Sequence, residues 1–216
     1  AYEQAMRERL KLLRDQANPD PAWLTALEDT MAARGIAVTA ARHDVISRLA
    51  PVAAESCGAF PGAVLALSGD VDGWLSLGPA LEAEDHFRAA LVADRERDVR
   101  FGRTHAGPQR TDLVVHHALK GEAAERCSTG EQKALLIALV LANARMRAAE
   151  EGGAPVLLLD EVAAHLDQDR RDALFGSLLG LGGQVWFAGT DAETFAGLRG
   201  RAQFFTVANG AVSDGG

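Results

Sequence analysis

Two stretches carry residue types that could handle a phosphate and a metal ion. The first is Cys127-Ser128-Thr129-Gly130-Glu131-Gln132-Lys133, directly ahead of the apolar run from Ala134 to Ala142. The second is Val156-Leu157-Leu158-Leu159, followed at once by Asp160-Glu161 and shortly afterwards by Ala164-His165-Leu166-Asp167. Leu135, Ala138, Leu139, Ala142 and Met146 recur at helical spacing, which puts Gly130 in the first turn of a long helix. A helix N-terminus presents unpaired N–H groups and a partial positive charge, and both suit an anion. Gly130 lets a ligand approach the backbone, and Ser128 brings a hydroxyl that can cap the helix or meet a phosphate oxygen. Taken alone, this stretch also fits an ordinary Ser-capped core helix.

The second stretch shifts that balance. Val156 to Leu159 is a continuous apolar run, the pattern of a buried parallel strand. Two adjacent acids at its carboxyl end are costly unless they bind something, and ligands of open α/β sheets sit at that end. Asp160 is placed to hold Mg²⁺, directly or through water, and Glu161 to orient or deprotonate a water. A pair of exposed turn acids is the bland alternative.

Together these residues resemble the ABC-type ATPases and, within them, the RecF family of DNA-repair proteins. Ser128-Thr129-Gly130-Glu131-Gln132-Lys133 is similar to the ABC signature loop, Leu157-Leu158-Leu159-Asp160-Glu161 to Walker B with its catalytic glutamate, and His165-Leu166-Asp167 to the D-loop. Gly107-Pro108-Gln109-Arg110-Thr111-Asp112-Leu113 and the opening Tyr2 with Arg7-Glu8-Arg9-Leu10-Lys11-Leu12-Leu13-Arg14 narrow the resemblance to RecF. It covers nearly the whole chain. Cys127, Thr129 and Glu131 stand where Leu, Gly and Gln are usual, and Thr190 stands at the switch position where a histidine is expected. The Thr argues against a transporter ATPase. No Gly-x-x-x-x-Gly-Lys-[Ser/Thr] phosphate loop occurs, and the first residue is Ala1. The resemblance therefore implies a C-terminal fragment lacking the P-loop half of its site and inactive by itself.

For the intact protein the resemblance implies ATP and Mg²⁺ as cofactors, slow hydrolysis and an ATP-dependent homodimer. Asp160 would serve the metal and Glu161 the attacking water. Ser128, Thr129, Gly130, Gln132 and Lys133 would meet the partner's nucleotide in trans, with Asp167 in the D-loop. It also implies DNA binding at single-strand/double-strand junctions, RecO- and RecR-type partners, and help in loading recombinase on gaps. Two other expectations remain: another SMC- or Rad50-like ABC head, or a non-catalytic dimerisation or DNA-clamp module.

The expected fold is α/β, the C-terminal part of an ABC-type ATPase head with an N-terminal helical lobe: a lobe over 1–100 and the core over 101–216. In the lobe, helices are expected over 1–17, Pro21 to Arg34 and Val38 to Ser56, broken by Asn18-Pro19-Asp20-Pro21 and by Gly35. Trp23, Leu24, Leu27 and Met31 form the second helix's apolar stripe, and Arg7, Arg9, Lys11 and Arg14 read as a solvated face of the first in preference to a face turned to DNA phosphate. Strands over 63–67 and 73–77 are expected to flank the turn Ser68-Gly69-Asp70, and a helix to run from Pro79 to Asp98 with Leu81, Phe87, Ala90 and Leu91 inward. Short strands are expected between Arg100 and Leu119, most clearly over 112–117. After the D-loop come a helix over 169–181, a strand over 184–188, a short helix around Phe195, and a strand over 203–208 turned by Asn209-Gly210.

Composition bounds the rest. The 216 residues are 48% hydrophobic, enough for one large or two small packed units, and no run approaches a membrane span. Cys57 and Cys127 fit a reducing cytoplasm better than a disulfide framework, and His105, His116 and His117 lack a metal-site spacing. A net charge of −8 confines any DNA contact to a local basic surface or to sequence outside this chain.

Overall fold

The computed structural model describes residues 1–15 and 19–215, apart from the side chain of His165. It has two compact units, 1–51 with 64–116 and 52–63 with 117–216. The ends of the first predicted helix at Gln16 and Ala17, and the Asn18 of the predicted break, lie outside the described residues.

The first unit is helical around a small sheet. It contains α1 (Tyr2–Asp15), most of α2 (Pro21–Ala54) and of β1 (Ala63–Ser68), α3 (Asp70–Leu77), α4 (Ala80–Ala93), α5 (Arg95–Phe101) and most of β2 (Asp112–His117), with β1 and β2 paired. Its core gathers Leu12, Leu24, Leu27, Met31, Phe87 and Leu91.

Several local expectations are corrected here. Gly35 does not close a helix, because α2 runs through it without a break. The reason is packing: a Cβ at position 35 would lie 2.5 Å from the Phe87 ring, so the glycine admits an aromatic side chain rather than a turn. Residues 73–77 are helix α3, not a second hairpin strand. Asp72 fixes that helix from its first turn: its buried carboxylate accepts from Thr111 Oγ1 at 2.6 Å and meets His43 Nε2 at 3.1 Å. Val71 is buried beneath it and Trp74 packs on Phe87. The expected helix over 79–98 is two helices that meet at Asp94, and between Phe101 and Asp112 there is a 3₁₀ turn and no strand. Leu81 and Trp23 face solvent, since the α4 and α2 core stripes run through Ala83, Phe87 and Leu91 and through Leu24, Leu27 and Met31.

The basic helix α1 divides into two faces. Arg7, Lys11 and Arg14 are exposed, but Arg9 is 0% exposed. Its guanidinium donates to Glu28 Oε1 at 2.9 Å, Asp98 Oδ2 at 2.6 Å and the Leu91 carbonyl at 2.6 Å. Arg95 donates to both Glu28 oxygens, and His105 supplies its backbone N–H and Nδ1 to Asp98. The three buried charges of this cluster, Arg9, Glu28 and Asp98, therefore each have a partner, as burial demands. The Gly107-Pro108-Gln109 stretch is also internal. Gln109 accepts from Tyr2 Oη at 2.5 Å and donates to the carbonyls of Thr104 and Ala106, and burial raises the Tyr2 pKa. A Cβ on Gly107, whose φ is 135°, would strike the Tyr2 hydroxyl.

The second unit holds α6 (Thr129–Glu151), β3 (Leu157–Asp160), α7 (Gln168–Gly180), β4 (Val185–Ala188), β5 (Phe205–Ala208) and β6 (Ala211–Asp214). β3 and β4 are parallel, with Leu157 opposite Val185 and Asp160 opposite Ala188. β5 and β6 form an antiparallel hairpin through Asn209 and Gly210, both at positive φ, so the expected single last strand is two. Phe60, Ala138, Leu141, Leu174 and Leu178 pack on one side of β3–β4 through Leu157, Leu159, Val185 and Phe187. β3 is not buried on both faces as its composition suggests. Leu158 is 77% and Trp186 48% exposed, and Trp186 stacks on Phe205. No helix among the described residues is long and apolar enough to cross a membrane.

Replacing Arg9 with Met removes the shared partner of two buried carboxylates. Breaking such a pair typically costs about 3–5 kcal/mol. Urea unfolding of Arg9→Met should show a loss of that order, and a loss below about 1 kcal/mol would make the cluster incidental to stability.

Candidate nucleotide site

α6 begins at a capping box. Ser128 is the N-cap in an extended conformation, and its hydroxyl faces the Glu131 N–H at 3.4 Å. Glu131 returns the contact: its Oε2 accepts from Ser128 N at 2.9 Å and Ser128 Oγ at 2.8 Å. Ser-x-x-Glu ahead of an apolar run is the sequence form of this device. The other oxygen, Oε1, accepts from the Lys120 ammonium, which comes from the turn after β2. Lys120 first, then the Ser128 hydroxyl and N–H, hold the Glu131 carboxyl down at about 2. The carboxylate in turn raises the Lys120 pKa.

The neighbours of the cap are structural. Cys127 is buried, and burial followed by the nearby Glu122 and Glu131 charges raises its thiol pKa, so it behaves as a small apolar residue. Gln132 folds back and donates to the carbonyls of Cys127 at 3.1 Å and Glu125 at 3.3 Å. Ser128, Thr129 and Gly130 remain exposed. A Cβ at Gly130 would lie 3.8 Å from Arg170 Nη1. Arg170 belongs to the first turn of α7, whose N-cap Asp167 accepts from Arg170 N at 2.9 Å and lies 3.6 Å from its guanidinium.

The carboxylates stand at the carboxyl end of the parallel pair. Asp160 closes β3 opposite Ala188, and its side chain is exposed. Glu161 follows at φ 52°, a left-handed conformation that a non-glycine residue keeps only where its surroundings fix it. Here the Glu161 N–H donates to the Ala188 carbonyl at 3.0 Å. Among the described residues, neither acid side chain has a hydrogen-bonded or charged partner. The Glu161 carboxylate lies 3.9 Å from where a Cβ on Gly189 would stand, so β3 and β4 bring Asp160, Glu161 and the Gly189-Thr190 turn to one edge. Thr190 is exposed there.

Of the signature stretch, Lys133 shares a pocket of about 190 Å³ with Glu161, walled by Leu136, Ile137, Leu159 and Val162. Two cations beside the α6 N-terminus, Lys120 and Arg170, escaped the sequence reading. Arg170 had a signal, since it sits three residues after the cap Asp167. Lys120 had none, because only the fold brings it to Glu131. Among the described residues no three His, Cys, Asp or Glu side chains gather as a metal cluster.

No family profile matches the chain. It is 52% identical over 213 residues, 98% of its length, to the DNA replication and repair protein RecF of Rhizobium etli. It is 50% identical over 214 residues to that of Rhizobium meliloti and 49% identical over 214 residues to that of Agrobacterium fabrum, again over 98% of its length. Over this span the chain is similar to these RecF proteins. It spans 56% of the Rhizobium etli RecF and 57% of that from Rhizobium meliloti. Its fold matches the solved structure described as the recombination mediator protein RecF-ATPrS in the RecFOR pathway, with a TM-score of 0.80, 18% identity and coverage of 100% of this chain and 57% of that one. It also matches the corresponding RecF-ATP structure, with a TM-score of 0.79 over 99% of this chain and 56% of that one. The fold is therefore α/β and matches that of part of these RecF structures.

The Glu131 carboxyl sets a pH signature. Its folded pKa of about 2 lies below the ordinary unfolded value of about 4.3, so its stabilisation is complete above that value and is lost as pH falls through 2. The stability difference between the protein and its Glu131→Gln variant should be flat above about pH 5 and narrow steadily below about pH 4. Denaturant unfolding at stepped pH measures it, and a difference that widened on acidification would contradict the assigned contacts.

Proposed function

We propose that the intact protein is an ATP-dependent DNA-binding protein of recombinational repair, dimerising around two nucleotides and hydrolysing them slowly. The carrying observation is the pair Asp160 and Glu161 at the carboxyl end of β3–β4, in the same unit as an exposed Ser-capped helix start. Asp160 would hold Mg²⁺: it is an exposed strand-end carboxylate of the hard-oxygen type that this ion prefers. The ion would neutralise charge on the phosphates. Glu161, held by the β4 backbone, would accept a proton from water attacking the γ-phosphate; the work is mostly positioning and charge compensation.

The helix start would act on the nucleotide of the second subunit. Ser128, Thr129, Gly130 and Lys133 are open to solvent, whereas Gln132 is tied to its own loop and supports the turn. Asp167 would cap α7 beside that interface, and Thr190 would stand near the γ-phosphate. A P-loop supplied by sequence outside these residues would hold each subunit's own ATP. That sequence would also cover the exposed apolar side chains of Leu158 and Trp186. DNA at single-strand/double-strand junctions, RecO- and RecR-type proteins and a cytoplasmic site of action follow from the family reading. So does a role in loading recombinase on gaps.

Glu161→Gln in the intact protein tests this reading. The amide keeps size and hydrogen bonding but takes no proton, and loss of such a group costs about 10²–10⁴-fold in rate. Steady-state hydrolysis should fall by that factor while ATP binding persists. Turnover near wild type would remove Glu161 from the role.

A further inference from the structure

We propose that Lys120 is a positioning residue of the signature loop, which keeps the Glu131 carboxylate from opposing an incoming phosphate. This rests on the reading that Ser128 and the α6 N-terminus meet the partner subunit's γ-phosphate. In the structure Glu131 competes for that place. Its Oε2 takes both the Ser128 hydroxyl and the Ser128 N–H, the groups nearest the exposed helix start. A full negative charge one turn inside the helix caps it well but repels a second anion arriving there. Lys120 answers that charge from outside the loop. It approaches the far oxygen, Oε1, and leaves Oε2 to the serine.

The arrangement has a direction. When phosphate arrives, the Ser128 hydroxyl can turn from Glu131 to the new acceptor, and the carboxylate it leaves still has the Lys120 ammonium. Lys120 therefore need not touch the nucleotide. The turn that carries it is fixed independently: Gly121 N donates to the His117 carbonyl at 2.8 Å, and His117 N to that of Glu122 at 2.9 Å. The ammonium thus hangs from a tied turn, and the pair costs less order than a free surface ion pair.

The test is a double-mutant cycle in the intact protein, reading the Mg·ATP concentration for half-maximal dimerisation by light scattering, with monomer ATP affinity as a control. Lys120→Met should raise that concentration about tenfold and leave monomer affinity unchanged, and Lys120→Arg should restore it. In a Glu131→Gln background the same Lys120→Met change should have no effect, because no carboxylate remains to neutralise. A Lys120→Met protein that dimerises like wild type overturns the proposal. So does an effect of equal size in the Glu131→Gln background, which would put Lys120 on the phosphate itself. If the unmodified protein does not dimerise on ATP at all, the functional reading fails first, and the control separates that failure from this one.

Discussion

The start of α6 depends on one carboxylate. Glu131 accepts from the Ser128 hydroxyl, the Ser128 N–H and the Lys120 ammonium, and so fixes which residue begins the helix. The rest of the unit follows from that phase. With Ser128 as N-cap, Ala134, Ala138 and Leu141 turn into the core against Phe60, Leu174 and Leu178. The same phase leaves Ser128, Thr129 and Gly130 outside. A shift of one residue would rotate the helix by about 100° and bury the polar opening instead.

The acidic edge depends on the same packing. Leu157 and Leu159 enter the core beneath α6 and α7, and strand alternation then sends Asp160 outward. The chain turns sharply at Glu161, held by the β4 backbone. The capped helix start and the exposed strand-end carboxylate are thus outputs of one core. Their backbones are fixed by packing alone, which is what the proposed charge-compensating role requires.

The features legible in the sequence were those with a local cause. Ser128 ahead of an apolar helix, a short apolar run ending in Asp160-Glu161, and Asn209-Gly210 between strands each specify their conformation within a few residues. The features that were missed have distant causes. Gly35 reads as a helix stop, yet it makes room for Phe87. Arg9 reads as a surface cation, yet Glu28 and Asp98 draw it inside. Gly73 to Leu77 reads as a strand, yet the Asp72 carboxylate, tied to Thr111 and His43, starts a helix there. The apolar run of β3 reads as buried, but only one of its faces is covered within this span. Lys120 carries no local mark of its tie to Glu131.

The proposed trans-acting role of the α6 N-terminus is tested most directly by Ser128→Arg in the intact protein, with Mg²⁺ and a non-hydrolysable ATP analogue, followed by light scattering. The fold should survive, since a lost cap costs only about 0.5–2 kcal/mol. Each monomer should still bind nucleotide, while the bulky side chain holds two subunits apart and the dimer disappears. A dimer as stable as wild type would contradict the role and leave Ser128 as an ordinary helix cap.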